Sequence, residues 1–364
     1  MTGEFVIRAA GIAELRAAAV GAVFALVAAC AGGAAAVPLS EQDSFYAEPV
    51  GLADLPNGTV VASRAIEPES FGLPLPAHAW QVQYKTIDND GAPRAYVATV
   101  LVPQAQWNGV GPRPLLSYQV AEDGVGSKCA PSYALRGGID DAPSNAYAET
   151  GIIRLALQQG WALVVPDYLG PDSDLFGADG TAHGVLDGIR AASAFTPAAI
   201  DPAAPIGMWG YSGGAQATAV AAQAHSTYAP DLRLSGVALG GVVADLESTI
   251  SDFSGGIAGG AVAVGLVGLN RSYPEADVAQ YLNESGRAIL AASQSDCLLD
   301  AGLAHPFLIE AARALAEKYC TAGVPVQLVE NPVGEHGTEA VVGLPTALTY
   351  LSDRFAAKPA PSTC

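Results

Sequence analysis

Gly210-Tyr211-Ser212-Gly213-Gly214 sets a serine between glycines two residues before and two after it. A serine hydroxyl attacks a carbonyl carbon only when a neighbouring base takes its proton. On a sharp strand-to-helix turn the serine is exposed as a nucleophile. The flanking glycines let strand and helix approach without a Cβ clash. With 41 glycines in the chain, the pattern alone is weak. Its surroundings sharpen it. Ile206-Gly207-Met208-Trp209 can form a short buried strand, and Ala215 to His225 is alanine-rich and free of proline. The rival reading is a glycine-rich turn without chemistry. Strand, elbow and helix in that order favour the nucleophile.

A nucleophilic serine needs a base, and the histidines are His78, His183, His225, His305 and His336. In the α/β-hydrolase order the histidine follows the last strand, C-terminal to the acid. Only His336 fits, in a loop directly after the Val324–Val329 run. His78 and His225 read as surface residues, and His183 as a capping or packing residue near a helix start. The oxyanion formed in acyl transfer needs two aligned N–H donors. Gly213, after the serine, supplies one. The loop after an early strand, around Asp123, supplies the other; its bland reading is an acidic loop residue.

The segments that would hold these groups alternate between strand and helix. Two β-rich runs, Trp80 to Ile87 and Ala95 to Val102, flank the turn signal Asp88-Asn89-Asp90-Gly91. Leu115 to Gln119 reads as a strand, Ala146 to Gln159 as a helix stopped by Gly160, and Trp161 to Val165 as a strand. Val185 to Phe195 reads as a helix, and Leu234 to Val243 as the strand after the elbow helix. The fold class is therefore α/β, with a mostly parallel central sheet and helices on both faces. Residues 38–244 form the first part of the core. Residues 245–305 break the pattern; glycine-rich and apolar up to Leu269, with a helix over Pro274 to Leu290, they read as an inserted helical lid. Residues 306–364 return to the core with helices at Leu308 to Tyr319 and Leu344 to Phe355 and a strand at Val324 to Val329.

Composition bounds the partners. The chain has 364 residues, 50% hydrophobic and 15% charged, and a formal charge of −19. That length supports one large α/β domain or two modest ones. So acidic a surface repels phosphate backbones, which excludes nucleic acid as an expected partner. Any lipid contact must be apolar. Residues 1–37 read as a targeting segment, with Arg8 and Arg16 before an apolar Ala17 to Ala29. Val27-Ala28-Ala29-Cys30 resembles a bacterial lipobox, which implies lipidation of Cys30. Cleavage after Ala34-Ala35-Ala36, or an uncleaved anchor over Ala17 to Val37, are the rivals. Export is common to all three, so the membrane enters only through an N-terminal anchor. The four remaining cysteines suit two disulfides in an exported chain. Three connectivities are open, and the expected one is Cys129–Cys297 with Cys320–Cys364. No C-x-x-C spacing suggests a metal, and no cofactor is expected.

An ordered set of short segments resembles the secretory lipases of the lipase A type, an α/β-hydrolase family. They include Pro56-Asn57-Gly58-Thr59-Val60, Tyr84-Lys85-Thr86, Thr99 to Pro103 and Ser117-Tyr118-Gln119. Cys129-Ala130-Pro131-Ser132-Tyr133, Pro166-Asp167-Tyr168, Gly210 to Gly214, Tyr273-Pro274-Glu275, Tyr319-Cys320 and Glu335-His336-Gly337 continue the set. The resemblance implies Ser212 as nucleophile, His336 as base, and Asp123 with Gly213 as oxyanion hole. It also implies a lid over an acyl groove and cofactor-free hydrolysis of acylglycerols or other carboxylic esters.

The chain departs from that family at one place. The family carries a strand between the lid and the Tyr319-Cys320 helix, ending in a loop whose aspartate orients the histidine. Here Ala304-His305-Pro306-Phe307 runs straight into a helix. Roughly 30 to 40 residues are missing, enough for one strand and its loops. Asp300 is the first substitute for the acid, with Asp296 and Glu310 behind it. A solvated lid carboxylate is the bland reading of Asp300. The expectation is a feebly active hydrolase, with Val324–Val329 shifted next to Leu234–Val243 or a gap left in the sheet. The alternatives are an inactive surface lipoprotein with an incomplete triad, or another enzyme of the same fold such as a peptidase or acyltransferase.

Overall fold

The computed structural model describes residues 37–139, 144–245, 247, 259–298, 309–331 and 336–364. The targeting segment with Cys30, and Asp300 and His305, lie outside them. No described helix is long and apolar enough to cross a membrane.

Every residue is buried in β6 (Leu115–Gln119), β7 (Ala162–Pro166) and β8 (Ile206–Tyr211). Successive side chains of a strand point to opposite faces. Leu115, Val164 and Met208 accordingly join one apolar cluster, and Leu116, Leu163, Val165 and Trp209 another. A strand buried on both faces needs cover on both. On the second face lie α1 (Asn145–Gln158) and α8 (Leu344–Phe355), through Ile153, Leu157 and Leu351. On the first lie α2 (Ala178–Ala194) and α3 (Gly213–Tyr228), through Val185, Ile189, Ala217 and Ala221.

The sheet also contains β1 (Val60–Ile66), β4 (Ala77–Ile87), β5 (Pro93–Pro103) and β9 (Leu234–Gly240); β2 (Glu69–Ser70) and β3 (Leu73–Pro74) pair separately. Its order is β1-β4-β5-β7-β6-β8-β9. β7, β6, β8 and β9 run parallel, while β5 is antiparallel to β7 and to β4, and β4 to β1. All but β5 and β1 therefore point the same way, the arrangement expected of an α/β-hydrolase. The Asp88–Gly91 turn joins β4 to β5. Asp88 Oδ1 accepts the N–H groups of Asp90 and Ala92, and Gly91 takes φ 79°.

The sheet ends differently from expectation. Among the described residues no strand pairs with the outer edge of β9, whose residues are all half-buried. Val324–Val329 is not a strand. It runs outside the sheet beside the C-terminal tail, where Val326 O accepts the Thr363 N–H at 2.7 Å and the Leu328 N–H reaches Thr363 Oγ1. A β-branched run becomes a strand only when a neighbour takes its backbone groups. Here the tail takes them. The Cys320–Cys364 disulfide closes that tail against α6 (Ile309–Thr321).

Helix boundaries moved where glycine obscured them. α2 begins at Ala178, seven residues before the Val185 expected from sequence. Pro274 to Leu290 is not one helix. After α4 (Gly259–Ser272) come 3-10 turns at Pro274–Ala276 and Val278–Tyr281, then α5 (Glu284–Ala292) capped by Asn283. His336 does not lie in a loop; it opens the short α7 (His336–Val342). Cys129 pairs with Cys297, and Cys320 with Cys364.

Candidate active site

Ser212 sits between the end of β8 and the start of α3, with φ 53° and ψ −122°. A non-glycine residue with such angles is strained and persists only when its surroundings fix it. Here its N–H donates to Gly240 O of β9 at 2.9 Å, and its carbonyl accepts from Ala215 and Gln216. The flanking glycines show why the motif needs them. A Cβ on Gly210 would lie 2.1 Å from Gly214 O, and one on Gly214 would lie 2.0 Å from Gln119 O. Both obstacles are backbone, so neither can move aside.

Asp123 lies on the loop that follows β6, facing that turn. A Cβ on Gly213 would sit 1.8 Å from Asp123 Oδ1, so the aspartate lies directly over the first turn of α3. Asp123 has φ 35°, a second strained residue beside the first. Its neighbours hold it there. Asn145 Nδ2 donates to Asp123 Oδ2 at 3.1 Å, and Asp123 O accepts from Leu298 N at 2.8 Å. Tyr168 Oη donates to Val120 O at 2.8 Å and accepts the Glu122 N–H at 3.3 Å. Glu149 accepts the Ala121 N–H at 2.9 Å and the Tyr118 hydroxyl at 2.6 Å. Gly124 bridges to Cys297, and a Cβ there would meet Cys129 Sγ. The Cys129–Cys297 disulfide thus passes across the loop.

The ground beneath this loop is acidic. Burial pushes the Glu149 carboxyl up to about 8, against the opposing hydrogen bonds from Tyr118 and Ala121. Burial also pushes Asp123 up to about 6, against the bond from Asn145. Glu122 is raised by burial and then by the charge of Asp167, and its buried Oε2 has no hydrogen-bond partner among the described residues. Asp167 is raised by burial while the hydroxyl and N–H of Ser132 hold it down.

The structure brings Ser212, Gly213, Gly210, Gly214, Tyr211 and Asp123 together. His225 belongs elsewhere, its Nε2 2.7 Å from Leu232 O at the end of α3. His183 is not near a helix start; it lies in the body of α2 with its ring 4.1 Å from that of Tyr228. Asp296, a substitute acid, has its carbonyl on Val125 N at 3.0 Å, which places its backbone beside the Asp123 loop. Asn145 and Glu149 carry no signal of their own in the sequence, and Tyr168 enters only within the Pro166-Asp167-Tyr168 segment. They reach the loop from α1 and from the segment after β7, Asn145 through the Asp123 carboxylate and Glu149 and Tyr168 through backbone groups, and no spacing rule marks such contacts.

A sequence model of the secretory lipase family matches residues 142–308 and 306–363, two blocks that meet beside α6. A probable inactive lipase of Mycobacterium tuberculosis is 34% identical over 374 residues, covering 88% of this chain and 83% of that protein. Lipase A of Arthroderma benhamiae is 32% identical over 386 residues, covering 88% and 80%. Both alignments are longer than the 364 residues of this chain, so both relatives carry internal residues without a counterpart here. The structure of Candida antarctica lipase A in its closed state superposes with a TM-score of 0.81 and 26% identity, covering 91% of each chain.

Proposed function

This chain belongs to the secretory lipase family, and from that premise we propose that it hydrolyses acylglycerols or other carboxylic esters through an acyl-Ser212 intermediate, slowly, because its triad lacks the ordinary acid. The elbow carries the reading: a strained Ser212 held beneath Asp123, with glycines wherever backbone approaches backbone. In the reaction, Ser212 Oγ attacks the ester carbonyl as His336 accepts the hydroxyl proton. The N–H groups of Gly213 and Asp123 receive the oxyanion. The intermediate collapses, His336 returns the proton to the leaving alcohol, and water then repeats the sequence on the acyl-enzyme. Residues 245–305 form the lid over the acyl groove in this reading, with α4 and α5 among their described parts.

Two observations support the slow variant. The family match breaks at residues 306–308, where the acid-bearing strand is expected. The sheet shows no strand beyond β9 among the described residues. Losing the acid leaves the histidine tautomer unfixed and costs roughly 10⁴-fold in kcat. The name of the M. tuberculosis relative, a probable inactive lipase, agrees with that direction. Two disulfides suit an oxidising compartment and hence export. Within that reading Cys30 carries a lipid anchor, which intact mass of the native protein tests by the presence or absence of acyl mass.

The deciding experiment is labelling with a fluorophosphonate followed by peptide mapping. Label on Ser212, lost in Ser212→Ala with the fold retained, supports the mechanism. An unchanged rate of ester hydrolysis in Ser212→Ala would remove Ser212 from it.

A further inference from the structure

We propose that Arg271, at the end of α4, is a positioning residue for the oxyanion loop, clamping that loop to the cap segment that closes over it. The inference rests on the reading of Asp123 and Gly213 as oxyanion donors. The hydrogen bonds of Arg271 among the described residues do not go to the groups assigned to the chemistry. Its guanidinium instead donates to three backbone carbonyls on three separate segments. Nη1 reaches Val125 O at 2.7 Å and Asp172 O at 2.8 Å, and Nη2 reaches Gln294 O at 2.6 Å. Val125 is two residues from Asp123. Asp172 follows β7, and Gln294 follows α5.

A fork of fixed N–H vectors suits this task, because a planar guanidinium sets the relative positions of its acceptors. The neighbourhood repeats the theme. Val125 N donates to Asp296 O at 3.0 Å, Leu298 N to Asp123 O at 2.8 Å, and Cys129 is disulfide-bonded to Cys297. Gly126 has no room for a side chain, since a Cβ would lie 2.4 Å from Ser295 O. Residues 294–298 and 123–126 are thus laced together, and Arg271 is the one side chain among these contacts that also binds the loop to α4 and to the Asp172 turn. The acids nearest it, Asp172 and Asp174, offset part of the cost of burying its charge.

The physical consequence concerns geometry rather than affinity. An oxyanion donor must lie within a few tenths of an ångström of its productive place, and Asp123 holds φ 35° only because its surroundings fix it. Cutting the Val125 tie lets residues 122–126 relax. Attack on the carbonyl should slow while binding of the unreacted ester is kept.

The test compares the full chain with Arg271→Ala and Arg271→Lys, and uses Arg154→Ala as a control because Arg154 likewise donates to two carbonyls, Leu73 O and Pro74 O, away from the site. Two readouts are taken. Amide hydrogen exchange over residues 122–126 is expected to quicken in Arg271→Ala relative to β6 and β8, less in Arg271→Lys, and not in Arg154→Ala. The rate of fluorophosphonate inactivation at saturating reagent should fall about tenfold to a hundredfold in Arg271→Ala with the half-saturating concentration unchanged, since losing one well-aligned oxyanion donor costs 10²–10³. Exchange over 122–126 equal to that of the parent in Arg271→Ala overturns the clamp. So does a loss of labelling matched by faster exchange throughout the sheet, which marks a general stabiliser. If exchange responds but the parent chain takes no label at Ser212, the hydrolase reading falls and the clamp on the loop stands.

Discussion

The two halves of the site are built to different standards. On one side, β6, β8, the elbow and the loop at Asp123 are buried, threaded with backbone contacts and tied by the Cys129–Cys297 disulfide. On the other, β9 is a half-buried edge, the Val324–Val329 run lies outside the sheet, and His336 opens a seven-residue helix. A strand at the edge of a sheet keeps backbone partners on one side only, so the order of a sheet is weakest there. The nucleophile side has kept its neighbours. The side that the proposed reading gives to the acid and base shows, among the described residues, no strand beyond β9. A chain can therefore retain the apparatus for attack while losing the part that tunes the base.

Substitutions can break that contrast. The largest effect is expected from Gly214→Ala. Its Cβ would meet Gln119 O at 2.0 Å, so the elbow must unfold locally or the chain fail to fold, at more than about 5 kcal/mol, the exceptional end for a single substitution. Gly323→Ala, with φ 80° and nothing within 4 Å, pays only the left-handed penalty of about 1–2 kcal/mol. Urea unfolding of the pair checks this, and equal costs would erase the distinction. The disulfides come next. Closing 168 residues through Cys129–Cys297 restrains the unfolded chain more than closing 44 through Cys320–Cys364, about 5 against about 4 kcal/mol in the chain-entropy account. The sharper difference lies in labelling: replacing Cys129 and Cys297 by serine should slow fluorophosphonate labelling of Ser212, and replacing Cys320 and Cys364 should not. In the core, Leu116→Ala should cost about 2–5 kcal/mol and Leu328→Ala less than about 1 kcal/mol, since only the first lies in a closed apolar cluster.

The pH response should also belong to one half. Glu149 and Asp123 are held at about 8 and about 6 in the folded chain, above their unfolded values near 4. A raised acid binds protons in the folded state that the unfolded state has released. Its contribution is therefore full below the unfolded value and is lost as pH rises through the folded one. Between pH 5 and 8 the chain should lose on the order of a few kcal/mol, and Tm should fall. Glu149→Gln should flatten that slope. A Tm that rises from pH 5 to 8 would contradict the assignment. On the other half, exposed Glu330 is held down by Arg313 and adds nothing in this window.

Much of the better-built half was legible in the sequence. β6 and α8 were found to the residue at Leu115–Gln119 and Leu344–Phe355, because a short apolar run and an amphipathic stretch carry their own periodicity. The elbow was legible through its glycines. α2 was cut short because Gly180, Gly184 and Gly188 lower helix propensity, yet that spacing is what lets the helix lie against Asn89, Tyr96 and Tyr84. Val324–Val329 was misread because propensity describes a strand's side chains and not the presence of a partner. The roles of Asn145, Glu149, Tyr168 and Arg271 are illegible for a related reason: each acts on groups of the Asp123 loop brought near only by the fold.

Steady-state hydrolysis of a short p-nitrophenyl ester by the purified chain, with Ser212→Ala as control, tests the account most directly. The account predicts a rate that depends on Ser212 with a kcat about 10³–10⁴-fold below the ordinary range of about 1–10³ s⁻¹. A Ser212-dependent kcat inside that range would show a working acid beside His336 and contradict it.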